Sequence, residues 1–213
     1  MYRRILLLGA ILAVVSGIGA AADAGSQGYF TYNPPRATES RDRIEVTEFF
    51  WYGCGHCYRL DPFIQPWLKK LPKDVVFRRI PAVFPGRDGA PGGWAPGAKL
   101  YYAMEALGLL DKLHGEVFSA IHRDRINLSN EKLMLEWLAK KGVDTTKFME
   151  VYNSFAIQAK VSRAMQLSES HGLDGVPALI VDGHYRAPGD SEDALVLVDQ
   201  LIDKARKERA GRK

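Results

Sequence analysis

Cys54 and Cys57 stand two residues apart in Cys54-Gly55-His56-Cys57, and they are the only cysteines in the chain. Thiols at this spacing can close a small disulfide ring, and neither has another cysteine in the chain to pair with. Such a pair supports thiol–disulfide exchange, in which a thiolate attacks one sulfur and expels the other. Chemistry of this kind needs one stabilised thiolate. An apolar-periodic helical pattern begins just after the motif, so Cys54 falls where a helix starts. Unpaired backbone N–H groups and the helix dipole favour negative charge there. His56 can add a hydrogen bond or a positive charge. Both effects lower the pKa of Cys54, and the pair reads as a redox centre rather than a staple.

The elements that must hold this centre are legible from their periods. Ile44 to Phe50 alternates and then turns fully apolar, as a strand entering a buried sheet does, and Gly53 breaks it. Leu60, Phe63, Ile64, Trp67, Leu68 and Leu71 recur at helical spacing, with Pro62 and Pro66 inside the run. Each proline removes a backbone hydrogen bond and is expected to bend the helix. Val75 to Ile80 reads as a second strand, which completes a βαβ unit with the cysteines at its first turn. A Gly- and Pro-rich loop spans Phe84 to Gly97. Five helices then follow, at about Ala98 to Leu107, Asp111 to Ile121, Ser129 to Lys141, a segment capped by Asp144, and Phe155 to Ser170. Val176 to Val181 is a strand opened by proline, Asp182-Gly183 is a hairpin turn signal, and a last helix spans about Ser191 to Arg206.

Composition bounds the rest. The 213 residues, 46% hydrophobic and 25% charged, suit one globular domain with room for an inserted subdomain. A core of that size does not need disulfides to stand. Arg3-Arg4, the apolar run Ile5 to Ile18, and small residues ending in Ala20-Ala21-Ala22-Asp23-Ala24 read as a secretory signal peptide cleaved near Ala22 or Ala24. The alternative is an uncleaved anchor, for which the run is short. The absence of cysteine near the cleavage site argues against a lipid-anchored form. An exported chain that keeps a single close cysteine pair is using it for work rather than for scaffolding. The formal charge of +4 falls to +3 without residues 1–24, and Asp203 to Lys213 carries a surplus of four, so the remainder sums to −1. The basic character is therefore a tail, expected as a solvated helix end, and nucleic-acid binding is not expected.

Strand, CxxC, helix, strand, then X-Pro, hairpin and helix is the order of the thioredoxin fold. Several stretches are more particular: Glu48-Phe49-Phe50 ahead of the motif, Cys57-Tyr58 closing it, the long helical block, Asn153-Ser154-Phe155, and Gly175-Val176-Pro177-Ala178 followed by Asp182-Gly183-His184-Tyr185. Together they resemble the DsbA family of bacterial periplasmic thiol:disulfide oxidoreductases, from about Tyr29 to the last helix. The resemblance implies an α/β architecture, a thioredoxin fold with an inserted all-helical subdomain. Its parts would be 25–97 (extended N-terminus and βαβ), 98–155 (helical insert) and 156–213 (helix, proline-led hairpin, last helix), after the signal peptide at 1–24.

It also implies roles. Cys54 would be the attacked sulfur and Cys57 the resolving one, with Gly55 and His56 tuning the thiolate. Read alone, Pro177 is equally a trans proline opening an edge strand or a cis proline. The resemblance favours a cis Val176–Pro177 bond facing the cysteines and offering a backbone edge to an extended substrate. Glu48 is either an outward-facing residue of an alternating strand or a buried carboxylate that helps move the proton of Cys57, and the resemblance favours the second. The implied partners are reduced exported proteins and a membrane quinone-linked reoxidant resembling DsbB. A monomer is expected, with no cofactor beyond the Cys54–Cys57 disulfide. The dipeptide departs from the family's more frequent Pro-His: Gly55-His56 is the pair of protein disulfide isomerases, which leaves the oxidising strength open.

Other readings are weaker. Zinc needs a second pair of ligands, and His114, His122, His171 and His184 show no ligand spacing, so they are expected at the surface or at helix ends and no metal is expected. Covalent haem needs CxxCH, and position 58 is Tyr. A copper carrier would keep methionine near the motif, and none is there. Trp137 and Leu138 are expected in the core. Trp51, Tyr52 and Tyr58 are either core or the rim of a groove. A periplasmic reductase or isomerase is the alternative within redox chemistry, although dimeric isomerases carry a dimerisation domain for which this length leaves no room. A non-catalytic thiol- or metal-binding module is the alternative outside it.

Overall fold

A computed structural model describes residues 28–211. The expected signal peptide and its cleavage site lie outside the described residues. The elements run β1 (Phe30–Thr31), β2 (Ile44–Phe50), α1 (Gly55–Leu68), β3 (Val75–Pro81), α2 (Ala95–Ala106), α3 (Leu110–His122), α4 (Glu131–Lys140), α5 (Thr145–Tyr152), α6 (Phe155–Ser170), β4 (Ala178–Val181), β5 (Tyr185–Ala187) and α7 (Glu192–Gly211). One mixed sheet has the order β1-β5-β4-β2-β3. Strands β2 and β3 are parallel, as a βαβ crossover requires, and the remaining neighbours are antiparallel. This is the α/β arrangement expected, with helices α2 to α6 interposed between its βαβ and ββα halves.

Every residue of β2 is buried, because the sheet is covered on both faces. Side chains alternate between faces along a strand, and β4 shows the result. Leu179 and Val181 pack with Ile64 of α1 and Val198 of α7, whereas Ala178 and Ile180 pack with the helical block. Burying an apolar side chain of this size contributes roughly 1.5–3 kcal/mol, so β2 and β4, both buried throughout, are firmly anchored. The redox motif follows directly from its end.

The helical block is punctuated by side-chain caps. Asn130, Asp144 and Ser154 accept from the backbone N–H groups of Leu133, Lys147 and Ile157, each cap contributing about 1 kcal/mol. The Asn130 cap starts α4 two residues later than the periodicity indicated. Helix α2 begins three residues earlier, at Ala95, because Pro96 fits a first helical turn where its missing N–H costs nothing. Helix α1 passes through Pro62 and Pro66 without interruption. Trp137 and Leu138 are core.

One expectation is corrected and one is refined. His114 is buried inside α3 rather than at the surface or a helix end, its ring enclosed by Phe50, Tyr52, Tyr101 and Phe118. His171 is at a helix end as expected, the C-cap of α6, though buried, and its Nδ1 donates to the Leu167 carbonyl at 2.8 Å. The basic tail is also more than a solvated helix end. Helix α7 continues to Gly211, Arg206 Nε donates to Asp74 at 2.7 Å, and Arg209 Nε donates to Asp182 at 2.8 Å. The tail arginines therefore clamp α7 to the turns at one end of the sheet.

Asp182 and Gly183 both lie at positive φ, at 54° and 63°, as the centre of a type I′ turn requires. A Cβ on Gly183 would come within 2.0 Å of the Arg36 carbonyl oxygen, which itself accepts no room for adjustment because Arg36 N–H donates to the Gly183 carbonyl at 2.7 Å. Gly183→Ala is expected to destabilise the protein by roughly 1–3 kcal/mol, read as a lower urea midpoint. An unchanged midpoint would show that this turn does not constrain the fold.

Candidate active site

Cys54 is the N-cap of α1, with extended backbone at φ −86° and ψ 117°. The Cys57 N–H donates to its sulfur at 3.2 Å, so the thiol occupies the position where Ser or Asp usually caps a helix. Both cysteines are free thiols. Cys54 retains 9% exposure and Cys57 none, so an incoming sulfur can reach only Cys54.

Their acidities diverge. The pKa of Cys54 is lowered to about 6, chiefly by the hydrogen bond from the Cys57 side chain, with further help from the N–H groups of Cys57 and His56 and the charge of His56, all against the opposing effect of burial. Cys57 is pushed far upward, first by burial, then by its hydrogen bond to Cys54 and the negative charge there, with Glu48 adding to the effect. One sulfur is thus a thiolate near neutral pH while its neighbour keeps its proton.

Across from Cys54 lies the loop before β4. The Val176–Pro177 bond is cis, and the Cys54 thiol donates to the Val176 carbonyl at 3.2 Å. That bond exists only for the protonated sulfur, so the carbonyl works against the N–H groups on the other side. Val176, Pro177 and His56, with Phe30, Gly189 and Asp190, line an open groove of about 530 Å³ beside the sulfurs. His56 is exposed, and its Nδ1 lies 2.7 Å from Asp190 Oδ2.

Beneath the motif is a buried charge network. Parallel pairing of β2 with β3 sets Glu48 beside Arg79. Arg79 Nε donates to Glu48 at 2.8 Å, and its terminal nitrogen donates to Asp61 of α1 at 2.9 Å. His114 Nε2 lies 3.3 Å from Asp61, and its Nδ1 is 2.8 Å from the Tyr52 hydroxyl. Two carboxylates share the one guanidinium, and Glu48 is 2% exposed. Glu48 is therefore not outward-facing. Tyr52 is core, while Trp51 and Tyr58 are half-buried. Trp51 stacks on Trp94 with centroids 4.4 Å apart, and Tyr58 stacks on His122 at 4.9 Å.

Arg79, Asp61 and Asp190 carry no role in the sequence alone, and His114 is expected from it at the surface or a helix end. The first two carry a signal after the fact: a charge on β3 opposite Glu48, and an acid one helical turn after Cys57. The others come from α3 and from the loop before α7, and no local pattern connects them to the motif. Among the described residues, no cluster of three or more His, Cys, Asp or Glu is placed to hold a metal, and no helix is long and apolar enough to cross a membrane.

A sheet ending in a Cys-X-X-Cys at a helix N-cap, faced by a cis-proline loop, defines a thioredoxin-fold thiol:disulfide oxidoreductase. Residues 45–198 match the model of the DSBA-like thioredoxin domain. The thiol:disulfide interchange protein DsbA of Pseudomonas aeruginosa is 39% identical, with 95% of this chain and 97% of that protein aligned. The DsbA of Bordetella parapertussis is 40% identical over 97% and 98%. The crystal structure of the Pseudomonas aeruginosa protein superposes with a TM-score of 0.78, covering 87% of this chain and 95% of that one. A DsbA of Neisseria meningitidis gives 0.76 at 28% identity, covering 87% and 95%. The chain belongs to the DsbA-like thioredoxin-domain family, and it is a thiol:disulfide oxidoreductase.

Two outcomes are expected. Alkylation of the reduced protein should follow a single thiolate with a midpoint near pH 6, at Cys54 alone, as read by peptide mapping. Because the folded pKa of Cys54 lies below its ordinary value of 9.0, the thiolate stabilises the reduced fold fully above about pH 9. That stability is lost as pH falls through about 6, so the gap between reduced and oxidised melting temperatures should shrink over that window. Separately, Arg79→Met strands two buried carboxylates and should cost about 3–5 kcal/mol of stability, measured by urea unfolding.

Proposed function

We propose that this oxidoreductase works in the periplasm and oxidises cysteine pairs in newly exported proteins, donating its Cys54–Cys57 disulfide through a mixed disulfide. A substrate thiolate attacks Cys54 and breaks the Cys54–Cys57 bond, and Cys57 takes up a proton as it leaves. A second substrate thiolate attacks the substrate sulfur of the mixed disulfide. The substrate disulfide forms, and Cys54 departs as a thiolate. Two electrons have passed from substrate to enzyme, and a membrane quinone-linked partner resembling DsbB removes them. No cofactor enters beyond the disulfide itself, and the chain acts as a monomer.

The observation that carries this reading is the asymmetry of the two sulfurs. The reachable one is the stable thiolate and therefore the good leaving group in the second exchange, whereas the sealed one holds its proton. A stabilised thiolate stabilises the reduced enzyme, which makes the oxidised enzyme the stronger oxidant. His56 supplies a backbone N–H and charge to that thiolate, and Gly55 beside it is proposed to tune the same sulfur. Val176 and Pro177 form the wall against which an extended peptide lies in the manner of strand addition. Glu48 is proposed to serve the proton of Cys57. Residues 98–155 are proposed as the inserted subdomain, between a first part at 25–97 and a second at 156–213, with 1–24 as a cleaved signal peptide.

The equilibrium of the Cys54–Cys57 pair with glutathione tests the direction. An oxidase is expected at about −180 mV or higher, the value of protein disulfide isomerase, and a potential near about −270 mV, that of thioredoxin, would make the protein a reductase. Cys54→Ser should abolish oxidation of a reduced substrate protein, and retained turnover would overturn the assignment of Cys54.

A further inference from the structure

Helix α1 opens with an electrostatic contradiction. His56 and Arg59 sit in and next to its first turn, the end of a helix that disfavours cations, and α1 has no acidic residue in its first turn. The two groups are also close to each other, with the Arg59 terminal nitrogen 2.7 Å from His56 Nδ1. Left to themselves, the guanidinium and the helix end would both repel a cationic side chain at this position, and 65% of the His56 side chain is already exposed.

Asp190 resolves the conflict from outside the helix. It belongs to the loop between β5 and α7, 134 residues away in sequence. A single carboxylate oxygen, Oδ2, lies 2.7 Å from His56 Nδ1 and accepts from Arg59 Nε at 2.9 Å and from the Arg59 terminal nitrogen at 2.5 Å. These contacts hold the acidity of Asp190 up, with the His56 hydrogen bond the largest cause and Arg59 next. Gly189 aims the loop: its φ is +107°, and a Cβ there would press to 3.2 Å from the Ala194 Cβ, so the carboxylate is delivered by a turn that side chains rarely allow.

We propose that Asp190 is a positioning residue of the redox centre, the shared counter-ion that pairs with His56 and Arg59 and holds His56 at the N-terminal turn of α1, and that through His56 it sets how strongly the Cys54 thiolate is stabilised. This rests on the reading that His56 tunes Cys54. Two opposite signs make the proposal decidable. A bare negative charge near Cys54 would destabilise the thiolate, so its removal would lower the Cys54 pKa. A counter-ion acting through His56 does the reverse, and its removal raises that pKa.

The test uses the full mature chain and glutathione redox buffers, with thiolate absorbance followed against pH, for Asp190→Asn, His56→Ala and the double variant. Asp190→Asn should raise the Cys54 midpoint and lower the oxidising equilibrium constant by about two- to fivefold, the range of an exposed ion pair; fivefold is about 20 mV at 29.6 mV per decade. The shift should shrink at high salt and should be partly restored by Asp190→Glu. In the His56→Ala background, Asp190→Asn should change nothing further. An unchanged constant, or a stronger oxidant, in Asp190→Asn overturns the proposal while leaving the His56 reading intact. If His56→Ala itself leaves both readouts unchanged, the His56 reading fails and this proposal fails with it.

Discussion

The hydrogen bonding around the Cys54 sulfur is the interaction on which the rest depends. A helix start has N–H groups with no internal partner, and most proteins satisfy them with an oxygen. Here a sulfur does so, with the Cys57 N–H at 3.2 Å. The bond is worth more to a thiolate than to a thiol, so it adds to the stabilisation of the Cys54 anion led by the Cys57 side chain. It requires that α1 start at Gly55 and that Cys54 remain extended. Both conditions follow from β2, which is buried on both faces and ends four residues before Cys54.

The opposing wall completes the asymmetry. The Val176 carbonyl accepts from the Cys54 thiol, so the same sulfur has a partner in either protonation state, though a different one. That suits the role proposed for it, to be attacked, carry a substrate and then leave. Cys57 has no such freedom. It lies at 0% exposure, where burial makes its anion costly and the Glu48 charge adds to the cost.

The buried charge network lies where the helical block meets the sheet. Glu48 comes from β2, Arg79 from β3, Asp61 from α1 and His114 from α3. Joining four elements through buried charges is expensive, and an apolar substitute would often be as stable. The Glu48 charge reaches Cys57 and helps hold its proton, which argues for an electrostatic role of the network at that sulfur. The clamp at the surface, His56–Asp190–Arg59, is the exposed and screened counterpart of that network on the substrate side.

Much of this was legible from local pattern. The CxxC, the strand before it and the helix after it each rest on spacing within about a dozen residues, and so do the cap at Asp144 and the turn at Asp182-Gly183. Such features are set by backbone geometry and by a side chain reaching its own neighbours, which residue order specifies. Contacts between distant segments were not legible. Glu48 meets Arg79 only through the β2–β3 register, His114 is buried only because four aromatic rings from β2, the motif loop, α2 and α3 close around it, and Asp190 finds His56 across 134 residues. The sequence by itself determined that a reactive cysteine pair sits at a helix start. Only the tertiary structure decided which sulfur is reachable, what lies beneath it and which carboxylate steadies its histidine, because burial and long-range charge pairing exist only once the chain has closed on itself.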